Sequence, residues 1–161
     1  MILLLGCAAF AGNPIRSSSN LGLGGAIGTW SWGVSGRYYI NETVSLQTVA
    51  GLYDIFGRYR AAGYGGSSIG LALSQDGLWE SPMVIYHDPN IELAWDVGAG
   101  LDLALGSGWG AVGVHAIGGL ELNLRQYPVD VVLEYRPAVL FAEEAAADPL
   151  AGALHIRYYA F

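Results

Sequence analysis

In the stretches where the chain alternates, one phase carries Arg37, Glu92, Asp96, Asp102, His115, Glu121, Asp130, Glu134, Arg136, His155 and Arg157. Charges held away from water need partners, because an isolated buried ion is costly. Glu121, Glu134, Arg37, Arg136 and Arg157 therefore predict a paired network that fills an interior. Glu134 meeting Arg157 across the last two strands is one arrangement of it. Arg37, Asp96, His115, Glu121, Glu134, Arg136, His155 and Arg157 are the candidate binding residues of such an interior. Their acidic excess would also suit a narrow cation-selective passage.

Other chemistry finds less support. A nucleophile needs its base within hydrogen-bond reach. His115 and His155 fall mid-strand on the inward phase, and His87-Asp88 sits by a short turn. Ser67, Ser68, Ser74 and Ser81 lie elsewhere, with no His-x-Ser spacing, so no catalytic site is expected. His115 and His155 with Glu121 or Asp96 lack the spacing of a metal site. Gly22-Leu23-Gly24-Gly25 precedes no helix and is no phosphate loop. No metal and no cofactor are predicted.

The elements that must position these side chains are strands. From Ile91 to Leu105 the odd positions are Ile, Leu, Trp, Val or Ala, and the even ones are acidic, Gly or Ala. Val112–Leu124 and Val129–Phe141 alternate likewise, and such runs exceed the usual strand of about 5–6 residues. Leu21–Gly28, Val34–Ile40, Val44 to about Phe56 and Ala151–Phe161 supply four more strands. Pro82–Asp88 is read as strand four, although Ile69, Leu71 and Leu73 also alternate and could extend or replace it. Asn41-Glu42, Asp88-Pro89-Asn90, Gly106-Ser107-Gly108 and Gln126-Tyr127-Pro128 are turns. The longest links, Arg58–Ser81 and Ala142–Leu150, both follow odd-numbered strands and so share one end.

Composition narrows the class. The 161 residues are 53% hydrophobic but 13% charged, with no Lys and a net charge of −7, against about 25% charged in a soluble domain. That acidity excludes a nucleic-acid partner. No stretch past the N-terminus is long and apolar enough for a spanning helix. Residues 1–11 read as a truncated signal segment ending Ala9-Phe10-Ala11, with Leu4-Leu5-Gly6-Cys7 a lipoprotein-box alternative. Residues 12–161 are one β-barrel domain. A soluble ligand-binding barrel would turn the apolar face inward, whereas a membrane barrel turns it out. The small, sparsely charged second face, the missing Lys and the aromatics at strand ends (Trp30, Trp32, Trp79, Trp95, Trp109, Tyr127, Tyr158) favour the membrane form.

Tyr127-Pro128-Val129-Asp130, Leu133-Glu134-Tyr135-Arg136-Pro137 and the ending His155-Ile156-Arg157-Tyr158-Tyr159-Ala160-Phe161 resemble small eight-stranded bacterial outer-membrane barrels of the outer-membrane protein A and X types. The resemblance covers Leu21 to Phe161. It implies an all-β, eight-stranded antiparallel up-and-down transmembrane β-barrel in a Gram-negative outer membrane, with outer-membrane lipid around it. It also implies handling by the barrel-assembly machinery, which reads a terminal aromatic. Phe161 departs from that pattern by falling on the polar phase. The expected role is structural or loop-mediated binding around a plugged polar lumen, without enzymatic activity. An extracellular ligand would meet the Arg58–Ser81 loop through Tyr64, Leu78 and Trp79. The alternatives are a soluble lipocalin-like ligand-binding barrel, a narrow porin-like pore and a lipid-modifying barrel enzyme.

Overall fold

Period-two alternation places successive side chains on opposite faces of a sheet, and here the sheet closes on itself. The computed structural model describes residues 19–54, 70–142 and 145–159. Within them the strands are β1 (Leu21–Gly28), β2 (Ser31–Tyr39), β3 (Val44–Tyr53), β4 (Gly70–Glu80), β5 (Tyr86–His87) and β6 (Ile91–Gly106). They continue as β7 (Trp109–Leu124), β8 (Val129–Tyr135), β9 (Ala138–Phe141), β10 (Ala145–Asp148) and β11 (Gly152–Tyr158). No helix occurs among the described residues. The wall runs β1, β2, β3, β4, β6, β7, β8, β11 and returns to β1, an antiparallel closed barrel of eight strands.

The register fixes the bore. A single cross-strand row leads from Glu92 through Asn123, Asp130, Arg157, Gly24, Ser35, Val49 and Ser74 to Asp102. One circuit therefore advances β6 from position 92 to position 102, a shear of ten. With strands about 4.8 Å apart and about 3.3 Å per residue, that sets a tilt near 40° and a backbone radius of about 8 Å. Eight strands at a shear of eight tilt by about 36° and are filled by branched aliphatic layers. The larger shear here leaves room for longer, charged side chains.

Several boundaries differ from the sequence reading. Strand four is β4, not Pro82–Asp88; only Tyr86 and His87 of that stretch pair, as β5 on β6. The Gly/Ser content of this region reads as loop, but Ser74, Asp76 and Glu80 are lumenal positions of a strand whose outward residues include Leu71, Leu73 and Trp79. Leu78 and Trp79 are therefore wall residues and not loop contacts. Leu78 is buried inside at 2% exposure. Trp79 faces outward, 5.7 Å edge-to-face from Trp95. Tyr64, the signal segment with Cys7, and Phe161 lie outside the described residues.

The expected strand Val129–Phe141 is divided at Arg136-Pro137, because Pro has no N–H to donate. Its register on β7 nevertheless continues from Tyr135 opposite Gly118 to Ala138 opposite His115. The Ala142–Leu150 link contains β10, which pairs back on β9. Turn chemistry follows the sequence: Asn41 Oδ1 accepts the Thr43 and Val44 amides at 2.9 Å each. Asp88 Oδ1 accepts those of Asn90 and Ile91 at 2.7 and 2.8 Å. The end bearing the 54–70 and 142–151 links also holds the tight β1–β2 and β6–β7 turns.

Close backbone approach makes some glycines irreplaceable and leaves others neutral. A Cβ at Gly24 would overlap the Ile156 carbonyl oxygen and sit 2.7 Å from Arg157 Cα, whereas one at Gly77 meets nothing within 4 Å. Gly24→Ala is expected to cost about 1–3 kcal/mol, as overpacking does. Gly77→Ala should stay within about 0.5 kcal/mol of the native protein. Urea titration of the folded barrel, followed by circular dichroism, checks both.

Candidate functional site

The candidate site is the lumen. Its wall strands bury eight carboxylates: Asp76, Glu80, Glu92, Asp96, Asp102, Glu121, Asp130 and Glu134. Three arginines (Arg37, Arg136, Arg157) and two histidines (His115, His155) are buried with them. Small residues make the space. The lumenal face of β1 is Gly22, Gly24, Ala26 and Gly28, and the Tyr159 ring occupies the place where a Gly22 Cβ would be. A Cβ at Gly100 would overlap Asp76, and one at Gly119 would overlap Asp96.

Arg37 organises one group of acids. Its Nη2 donates to Asp96 Oδ2 at 2.7 Å and pairs with Glu80 Oε1 at 2.9 Å. Nη1 donates to Glu121 Oε2 at 2.9 Å, and Nε to Ser45 Oγ at 3.1 Å. The planar fork thus serves three carboxylates, a task the single ammonium of Lys could not share in the same way. Its guanidinium carbon also stands 5.5 Å above the Tyr39 ring.

Arg157 holds Asp130 through Nε, at 3.1 Å to each oxygen, and through Nη2 at 2.9 Å. Tyr159 donates its hydroxyl to the same Asp130 at 2.7 Å. Arg157 therefore pairs with Asp130, its neighbour in the β8–β11 register, and not with Glu134, which stands opposite Ala153. Glu134 takes Arg136 Nη1 at 2.9 Å and His155 Nε2 at 3.2 Å. Gln47 links these groups: its Nε2 donates to Asp76 and Glu134 at 3.0 and 2.9 Å, and its Oε1 accepts from Arg157 Nη1.

His115 is held between acids, with Asp102 Oδ2 2.7 Å from Nδ1 and Asp76 Oδ1 2.9 Å from Nε2. Arg136 Nη2 lies 2.6 Å from the same Nε2. His155 Nδ1 meets Ser35 Oγ at 3.0 Å. Ser35, His155 and Glu134 have the composition of a nucleophile relay. All three are buried in the lumen, and there the contact ties β2 to β11 and β8.

Aromatic rings close both ends. Tyr39 and Tyr159 stand 6.0 Å apart at the turn end. Tyr53 lies 4.8 Å from Trp30 and 5.1 Å from Trp109 at the loop end, over Ala72, Ala104, Ala111 and Leu140. Trp30 and Trp109 are thus part of a lid, not of an outer aromatic belt. Among the described residues a cavity bordered by Asp102, His115, Arg136 and His155 measures about 20 Å³, room for about one water.

The candidate residues Arg37, Asp96, His115, Glu121, Glu134, Arg136, His155 and Arg157 all lie in this network. Sequence reasoning missed Asp76 and Glu80, assigned to a loop, and the uncharged partners Gln47, Ser35, Ser45 and Ser74. The inward phase of β2, β3 and β4 was the signal that could have found them.

Breaking the Arg37 group is expected to be costly. Arg37→Met strands three buried carboxylates and should lower stability by about 3–5 kcal/mol. Unfolding midpoints in urea, with Leu46→Met on the outer face as control, measure it. In comparison with known proteins, the chain matches no protein family, no curated protein and no solved structure.

Proposed function

We propose that this chain is a bilayer-spanning barrel of a bacterial outer membrane, with a structural or loop-mediated binding role around a plugged lumen. The observation that carries this reading is the direction of its two faces. Outward strand positions are apolar and open: Leu71 is 69% exposed, Val34 63%, and Leu101 and Leu133 60% each. Inward positions hold the ionisable groups. Water would penalise such an exterior as one continuous apolar patch far beyond what soluble monomers expose. Hydrocarbon stabilises it, and the closed ladder leaves no wall strand edge unpaired in lipid.

Dimensions and aromatics agree with this reading. A hydrocarbon band about 25 Å tall, crossed at a tilt near 40°, needs strands of about 10 residues. Of the eight wall strands, β3, β4, β6 and β7 reach that length with 10, 11, 16 and 16 residues, while β1, β2, β8 and β11 have 8, 9, 7 and 7. Tyr38, Trp79, Trp95, Tyr127 and Tyr158 face outward toward the turn end, and Trp32, Tyr135 and Phe141 toward the loop end, as interfacial belts do. Lipid is the partner of the wall, and the barrel-assembly machinery is the partner during biogenesis. The long connection between β3 and β4 is where an extracellular ligand would bind. A soluble ligand carrier would need an apolar cavity in place of the charged lumen.

The test is refolding of the full chain from urea into detergent micelles and, in parallel, into detergent-free buffer. Circular dichroism and the mobility of unboiled against boiled samples report the outcome. β-Structure and a boiling-sensitive band are expected only with detergent; a folded monomer in plain buffer overturns the reading. Leu101→Arg, at the middle of the outer face, should cost about 2–4 kcal/mol in lipid vesicles. In the soluble alternative the same exposed position would tolerate Arg.

A further inference from the structure

Among the described residues, the charge turned into the lumen by the wall does not balance. Eight carboxylates meet three arginines, and protonating both histidines would still leave three negative charges in excess. A buried imbalance of that kind is relieved by protons or by bound cations. One place in the lumen offers what a cation requires.

Glu92 on β6, Asn123 on β7 and Asp130 on β8 occupy one cross-strand row. Neighbours in such a row hold their Cβ atoms about 5 Å apart, close enough for three side-chain oxygens to converge. Asn123 is 0% exposed, and among the described residues neither its amide oxygen nor its amide nitrogen has a hydrogen-bond partner. Buried amides are nearly always paired, so this one marks a position built for a ligand. The residues on both sides of it in the row are carboxylates, which supply negative charge.

Both flanking acids also have partners of their own. Arg157 and Tyr159 fix Asp130 from the β11 side, and His87 Nδ1 lies 3.2 Å from Glu92 Oε2. The His87 side chain is 36% exposed, so Glu92 lies one side chain from solution at the turn end.

We propose that Glu92, Asn123 and Asp130 bind a hard, oxygen-seeking cation at the turn end of the lumen. Two carboxylates and an amide oxygen form an all-oxygen set suited to calcium or an alkali ion and ill suited to zinc. Among the described residues no three His, Cys, Asp or Glu side chains converge as a metal site; the amide oxygen completes the set. Bound there, the ion offsets part of the acidic excess and pairs the Asn123 carbonyl. The inference holds whatever covers the outer wall.

The experiment is calorimetric titration and thermal melting of the full folded chain, freed of divalent ions by chelator, with calcium, magnesium and potassium as probes. At least one ion should bind saturably, at about one per chain, and raise the melting temperature. Asn123→Leu and the near-isosteric Glu92→Gln should each weaken that binding by about tenfold or more. Without ion, Asn123→Leu should melt no lower than the native protein, since it removes an unpaired amide. Absence of saturable binding by all three ions overturns the proposal, as does equal binding by native protein and Glu92→Gln. If Asn123→Leu fails to fold, Glu92→Gln decides. Stabilisation by acid alone, with no ion bound, would show that protons carry the balance and would also overturn it.

Discussion

Everything in this barrel follows from burying more carboxylate than cation inside a closed wall. Eight acids share three guanidinium groups, so each arginine must serve several oxygens at once. Arg37 is shared by three carboxylates, and Gln47 uses both ends of its amide to join Arg157 to Asp76 and Glu134. Such a network stabilises only when nearly every member is satisfied, because a charge left over in a low-dielectric interior costs more than the pair contributes. That requirement sets the geometry of the wall.

The wall answers it in two ways. A shear of ten widens the bore beyond what aliphatic layers would fill, and glycines and alanines on the lumenal phase clear a path for side chains from strands that are not neighbours. Gly24 lies between Ser35 and Arg157 in the register row. Ser35 on β2 and His155 on β11 meet across β1, whose lumenal residues there are Gly24 and Ala26. The tyrosine pair and the Trp30–Tyr53–Trp109 cluster then seal the ends. With polar groups turned inward, the apolar residues are left on the outside, and the proposed membrane setting rests on that face.

Much of this is legible in one dimension because strand periodicity is local. A period of two assigns each residue of Ile91–Leu105 or Val112–Leu124 to one of two faces, so the lumenal phase of His115, Glu121, Glu134 and Arg157 can be read without knowing any partner. Turn residues such as Asn41 and Asp88 act on amides two or three residues away, and they too are visible. Strand four was not, because Gly70–Glu80 is rich in small and polar residues and its apolar phase is broken by Gln75 and Gly77. Its lumenal side chains, Asp76 and Glu80 among them, went unseen for the same reason.

The sequence by itself determined the all-β class, the antiparallel alternation, the face of most charges outside strand four and the excess of acid over base. It could not choose between two barrels with the same alternation, since a face has no inside until the sheet closes. Nor could it choose partners. Glu134 facing Arg157 and Asp130 facing Arg157 are equally compatible with the sequence, and only the β8–β11 register selects Asp130. Register is a long-range property, set by closure of the ring. The tertiary structure alone therefore decided which ions pair, which way the faces point and where Asn123 comes to lie between two acids.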